Sequence, residues 1–311
     1  MISARAKRLL TLVALLVLSS FSHTFAQQNP ASRVFRISVV DEDGKPYAGL
    51  TPDNFLASVD KKPRKIVSLT SESAPVSVGI LLDLSGSVGP EGKKEANAFR
   101  RKLSDAITHF FSISNAENDY FAGTFNHKVA FSETWTGPTE SIFEKLNAPE
   151  NYGQTAMYDA LYQGIQHLMK SRHSRRVLVI VSDGQDNESK RTYKEVANLV
   201  KRSDVTIYAL ALYNQKSPGG AIYAEGLEVL DDLTKLSGGR TVFLKEGESP
   251  DVMRDGFGIV AENLQQHYQL SIENEPAAGP EKWRKFALKL NLPDEKGRPK
   301  LLIWSRPGFY Q

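Results

Sequence analysis

Between Val76 and Ser87 the chain reads VSVGILLDLSGS, a short apolar run that stops at an acid followed by two hydroxyls at alternate positions. The run from Val78 to Leu82 is branched and nearly continuous, the pattern of a parallel strand buried on both faces of an α/β sheet. Open α/β sheets bind ligands beyond the carboxyl ends of their strands, so Asp83, Ser85 and Ser87 fall on a ligand-facing loop. All three side chains offer oxygen, the ligand a hard cation prefers. Gly86 and Gly89 are expected to let that loop turn back sharply.

From Pro75 to about His267, strands and helices alternate, which argues for right-handed βαβ units on one sheet. Apolar residues at helical spacing (Ala96, Phe99, Leu103, Ile107, Phe110) predict a helix over 91–111. Asn126-His127 between two strand-like runs predicts a hairpin, hence one antiparallel edge strand on a mostly parallel sheet. Residues 177–181 and 205–212 read as further central strands, and 241–244 as an edge strand. Helices are predicted over 156–170, 193–202, 227–236 and 250–267. The fold class expected is therefore α/β, with a Rossmann-like, doubly wound sheet over residues 74–267.

The two ends have a different texture. Residues 34–39, 56–59 and 65–69 read as strands, with Lys61 to Arg64 as a basic turn, and 268–272, 286–290 and 301–304 read as strands at the other end. Neither set suffices to close a core alone. Residues 27–73 and 268–311 are therefore expected to pair into one small β-sandwich-like domain, into which the α/β domain is inserted.

Composition bounds the partners. With 41% hydrophobic and 24% charged residues the chain should be globular. Met1 to Ala26 reads as a secretory signal: Arg5, Lys7 and Arg8, then an apolar stretch too short to span a bilayer comfortably, then a small-residue cleavage site. Its removal leaves 36 basic against 36 acidic residues, so no charge excess points to nucleic acid or an anionic membrane. No later segment is apolar enough for a stable membrane span, and the absence of Cys rules out disulfides and lipid-modified cysteine. The expected location is exported, either periplasmic or secreted.

Two further polar loops follow apolar elements. Gly153-Gln154-Thr155 precedes the helix starting at Ala156, and Ser182-Asp183-Gly184 ends the strand 177–181. In a doubly wound sheet these loops converge on the first, bringing together Asp83, Ser85, Ser87, Thr155 and Asp183. Two carboxylates and three neutral hydroxyls balance a divalent charge without filling all six octahedral positions. Singly, each piece has a plainer meaning: Asp and Ser cap helices, Thr155 is placed as an N-cap, and Asp183-Gly184 is a turn. The conjunction carries the weight.

These residues, Asp83-Leu84-Ser85-Gly86-Ser87, Thr155 in GQTAMYDA and Asp183 in VSDGQDN, resemble the von Willebrand factor A domain and its metal-ion-dependent adhesion site. All five motif positions occur in order. The flanking β segments, including the closing RPGFY, resemble bacterial secreted proteins related to this domain. The resemblance implies a bound Mg²⁺ or Mn²⁺ and a protein ligand whose own Asp or Glu completes the coordination. It also implies that ligand binding is coupled to displacement of the last helix, 250–267. Gln154 departs from the family, which often has a second Gly there.

Other features weigh less. Asp186 and Asn187, just after Asp183, read first as solvated loop residues, with support of the metal ligands from behind by Asp186 as the weaker alternative. The histidines show no zinc-ligand spacing. Lys170 to Arg176 reads as a solvated helix-to-strand loop, with a phosphate patch as the weaker alternative. Tyr213 to Tyr223 is a polar loop on the edge of the proposed site. An enzymatic reading fares poorly: Gly86 to Gly92 is one residue too long for a phosphate-binding loop, Lys94 stands where Ser or Thr should follow the Lys, and Ser85 lacks the preceding glycine of a nucleophile elbow. The function expected is non-enzymatic, metal-dependent protein binding in adhesion or envelope assembly. A metal-independent structural role is the first alternative and a metal-dependent hydrolase the second.

Overall fold

The structure is a computed structural model that describes residues 32–88, 93–132, 135, 153–213, 220–245, 251–276, 279–293 and 296–311. The leader, Gly89 and part of the loop 213–223 lie outside these residues. In chain order the elements are β1 (Ser32–Val40), β2 (Phe55–Val59), β3 (Lys62–Arg64), β4 (Ile66–Glu72), β5 (Ser77–Asp83), α1 (Lys93–Ile113), β6 (Asp119–Phe125) and β7 (Val129–Phe131). They continue with α2 (Met157–Leu168), β8 (Arg176–Ser182), α3 (Tyr193–Arg202), β9 (Val205–Tyr213), α4 (Gly220–Ser237) and β10 (Thr241–Lys245). The last are α5 (Val252–Gln265), β11 (His267–Glu273), β12 (Trp283–Leu290), β13 (Leu302–Ser305) and β14 (Gly308–Tyr310).

The central sheet has the order β10-β9-β8-β5-β6-β7. Every pairing is parallel except β6 with β7, the hairpin edge. All seven residues of β5 are buried, as a central parallel strand requires. Alternation along it splits the core in two. Val78, Ile80 and Leu82 face α1 and α5 in one cluster with Phe110 and Phe257, while Leu81 faces the other side with Met157, Leu161, Val196 and Leu230 from α2, α3 and α4.

The ends of the chain build two four-stranded sheets, β13-β1-β11-β4 and β14-β12-β2-β3, and each draws strands from both ends. Their inner faces share one core, where Phe35 of β1 stacks on Phe286 of β12 at 3.8 Å between ring centroids. This is the sandwich around the inserted α/β domain. Only Gln266 separates α5 from β11, so the last helix runs straight into that sandwich.

Three local readings need correction. The basic turn is itself a strand: the reversal sits at Asp60 and Lys61, both at positive φ (48° and 67°), and β3 follows at once. The expected tail lacks one strand: Gly308–Tyr310, within RPGFY, is β14 and pairs with β12. Helix α4 begins at Gly220, so the end of the expected loop 213–223 is helical.

Candidate functional site

The chain leaves β5 to one side for β6 and returns on the other side as β8, so the sheet order reverses between β5 and β8. Loops on either side of such a reversal diverge and leave a crevice at the carboxyl edge of the sheet. Asp83 is the last residue of β5, and Asp183 follows the last residue of β8. The loop before α2 closes the third side, with Gly86 N–H directed at Gly153 O (3.4 Å) and Ala156 N–H donating to Asn126 O (2.7 Å). Asp83, Ser85, Thr155 and Asp183 are each no more than 2% exposed, while Ser87 is exposed at the mouth.

The hydrogen bonds set the side chains. Asp83 Oδ1 accepts from Ser85 N (2.9 Å), and Asp83 Oδ2 accepts from Ser182 Oγ (2.6 Å), which in turn accepts from Gly184 N (3.0 Å). The hydroxyls of Ser85 and Ser87 lie 3.2 Å apart. Asp183 Oδ1 accepts from Gln185 N (3.0 Å), whereas its Oδ2 is buried with no hydrogen-bond partner among the described residues. Thr155 does not serve as the cap of α2. The first N–H groups of that helix go to Asp186 Oδ1 from Tyr158 (2.9 Å) and to Ser189 Oγ from Asp159 (3.0 Å).

Burial dominates the electrostatics. It pushes the Asp83 carboxyl up to about 7, helped by the nearby Asp183 charge and opposed by the hydrogen bonds from Ser182 and Ser85. Burial also raises Asp183 above the ordinary carboxylate range. Two carboxylates that resist ionising together, one with an orphaned buried oxygen, want a positive charge between them. The Ser85 and Ser87 hydroxyls stand beside them, and a hard divalent cation suits that donor set. Among the described residues no three His, Asp or Glu side chains group as a metal site, so a cation here would rest on the carboxylates and hydroxyls together.

Sequence reasoning missed Ser182 and undervalued the loop behind it. Asn187 Oδ1 accepts from Thr155 N (2.7 Å), and Asp186 holds both Tyr158 N and Ser189 Oγ (2.6 Å). Asp186 is therefore a half-buried tie between the loop after β8 and α2, and burial raises its carboxyl too. The one signal for Ser182 was a hydroxyl ending a buried apolar strand beside the strand that ends in Asp83. Gly86 is not among the residues in the left-handed region, so the first loop does not rely on it for a sharp turn.

The sequence profile of the von Willebrand factor type A domain matches residues 77–247, more than half of the chain. The chain belongs to the von Willebrand factor type A domain family. No curated protein matches it significantly. Among solved structures it is similar to the PilB minor pilin from Streptococcus sanguinis, with 14% identity, a TM-score of 0.49 and 62% of each chain covered. Thus the chain spans under two thirds of that pilin's length. A von Willebrand factor type A protein from Catenulispora acidiphila aligns over 90% of this chain and 74% of its own at 12% identity and a TM-score of 0.46. Proximal thread matrix protein 1 from the mussel byssus, solved with a zinc-occupied metal-ion-dependent adhesion site, covers 66% of this chain and 50% of its own at 12% identity and a TM-score of 0.47. Domains of this family serve adhesion and protein-interaction roles, often bind a divalent metal and are usually non-enzymatic. Among the described residues no helix is long and apolar enough to cross a membrane.

Proposed function

We propose that this is an exported, non-enzymatic binding protein, periplasmic or secreted, that holds Mg²⁺ or Mn²⁺ on Asp83, Ser85, Ser87, Thr155 and Asp183. An Asp or Glu of a protein partner takes the coordination position left open toward solvent, in adhesion or envelope assembly. The observation that carries this reading is the buried Asp83–Asp183 pair, with Asp183 Oδ2 lacking a partner among the described residues and the Ser85 and Ser87 hydroxyls beside it. When bound, the cation supplies a Lewis-acidic position for a carboxylate from outside the chain. The protein's own residues do the rest. Ser182 aims Asp83, Asn187 and Asp186 fix the Thr155 loop, and the exposed Ser87 sits at the mouth where a partner would arrive.

Calorimetry with Mg²⁺ and Mn²⁺ on the unmodified chain and on the double variant Asp83→Ala/Asp183→Ala tests the site. Saturable binding lost in the variant is expected. Binding that survives the double change overturns the assignment of ligands. Partner capture with and without chelator then tests the use of the metal, and capture unchanged by chelator favours the metal-independent structural role.

A further inference from the structure

At the opposite edge of the central sheet, the α/β domain and the sandwich meet around a small polar cleft with about 30 Å³ of room. Arg36 and Ser38 of β1, Arg175 beside β8, Tyr208 of β9 and His267 of β11 all line it. It is far from the candidate metal site, since the seven residues of β8 (Arg176–Ser182) separate the two, about 20 Å at ~3.3 Å per residue.

The charges here do not balance. Arg175 is only 6% exposed, and among the described residues its side chain makes one hydrogen bond, from Nη1 to Ala74 O (3.1 Å). Among the described residues no carboxylate lies within ion-pair distance of it. The nearest acid, Glu72, is already shared: His267 Nε2 lies 2.7 Å from Glu72 Oε2, and Arg36 Nε lies 3.6 Å from the same atom. Asp204, also on the wall, is largely exposed and pairs with Arg306 at 3.4 Å. Arg36 Nε and His267 Nδ1 are buried and have no hydrogen-bond partner among the described residues. Burial first, then the neighbouring arginines, push His267 down to about 4, so near neutral pH it is an uncharged ring; its Nε2–H donates to Glu72 and its Nδ1 is a bare acceptor, so the cleft's charged donors to an anion are the arginines alone.

A sequence reading places Arg175 and Arg176 on a solvated loop; the structure instead turns Arg175 inward. A buried guanidinium with one carbonyl bond, whose only nearby carboxylate, Glu72, is shared with Arg36, is an unfavourable arrangement unless a further negative charge sits beside it. Water would satisfy the N–H groups but leave Arg36 and Arg175 repelling each other. The room exceeds what a single water needs and suits a small ion.

We infer that this cleft binds a small monovalent inorganic anion, of chloride size, on the Arg175 and Arg36 guanidinium groups. Because its walls come from both domains and from the junction of α5 with β11, the anion acts as a counter-charge that holds the two domains together. This site does not depend on the metal reading.

The test is thermal unfolding of the full chain in chelator, with chloride titrated against gluconate at constant ionic strength. The midpoint should rise saturably with chloride and with bromide, and Arg175→Met should lose that rise, whereas Arg175→Lys should keep it with a dissociation constant weakened about tenfold, the scale set by exchanging a planar fork for a single ammonium. Should Arg175→Met fail to fold, bromide-soaked crystals of the unmodified chain decide the question, with an anomalous peak expected beside Arg175. A midpoint independent of chloride, a saturable rise undiminished in a folded Arg175→Met, or bromide absent from the cleft would each overturn the inference.

Discussion

Ser182 shows how a residue without a ligand role can control a site. Its hydroxyl donates to Asp83 Oδ2 at 2.6 Å while accepting from Gly184 N, so one side chain links the end of β5 to the turn that carries Asp183. Ser182→Ala leaves a buried acceptor unsatisfied, a change that costs about 1–3 kcal/mol. We expect a lower denaturation midpoint and weaker Mg²⁺ binding, but not the complete loss expected of Asp83→Ala; calorimetry on the folded variant checks this. The Asp83 carboxyl itself, held near 7 by burial and by Asp183, must lose its proton before it can ligate. Apparent metal affinity should therefore fall by about tenfold for each pH unit below 7, with proton release on binding, which titration in buffers of different ionisation enthalpy detects. An affinity flat between pH 5 and 7 would show that Asp83 is not the proton-coupled ligand. The acid-hydroxyl-hydroxyl pattern was legible because ligand types and spacing are written directly in the chain. The roles of Ser182, Asn187 and Arg175 were not, because each is set by a neighbour far away in sequence.

Helix α4 presses on the candidate site through a pair of glycines. Gly184 takes φ +83°, and a Cβ there would lie 2.1 Å from Gly226 O. In return, a Cβ on Gly226 would lie 2.7 Å from Gly184 C and 2.8 Å from Asp183 O. Both obstacles are backbone, which cannot swing aside, so Gly226→Ala must push the Asp183 turn away from α4. The sign of the effect is diagnostic. In a helix interior Gly→Ala normally stabilises by about 1 kcal/mol, whereas overpacking costs about 1–3 kcal/mol. We expect net destabilisation and weakened Mg²⁺ binding; a variant more stable than the parent with unchanged binding would mean that α4 does not position Asp183. The elements themselves were largely legible. Fully buried strands, the hairpin at Asn126-His127 and the 3.6-residue apolar periods all announce themselves locally. What escaped notice was short and defined by pairing: β3 and β14 are three residues each, too brief for any period, and exist because β2 and β12 offer an edge.

At the scale of the whole molecule, the two buried titrating centres lie at opposite edges of one sheet and respond to pH with opposite signs. His267 has a folded value of about 4 against an ordinary 6.5, with Glu72, Arg36 and Arg175 facing it. The unfolded chain binds the extra proton in that window, so this group's contribution to stability is complete above about 6.5 and is lost as pH falls towards 4. Asp83 runs the other way. Its folded value of about 7 exceeds the ordinary 3.8, so the folded chain holds the extra proton, and stability is lost as pH rises from about 4 to 7. Each slope is at most about 1.4 kcal/mol per pH unit, and in the metal-free protein they oppose each other between pH 4 and 6.5, with Asp183 and Asp186, also raised by burial, adding to the Asp83 side. A divalent cation on Asp83 and Asp183 stabilises their ionised forms and removes the second slope. Unfolding free energies measured from pH 4.5 to 6.5 should then rise more with pH in saturating Mg²⁺ than in chelator, and His267→Gln should flatten the rise in Mg²⁺. Equal slopes with and without metal would mean that Asp83 is not where the cation binds, whereas a rise that survives His267→Gln would place the proton uptake elsewhere in the joint between the domains.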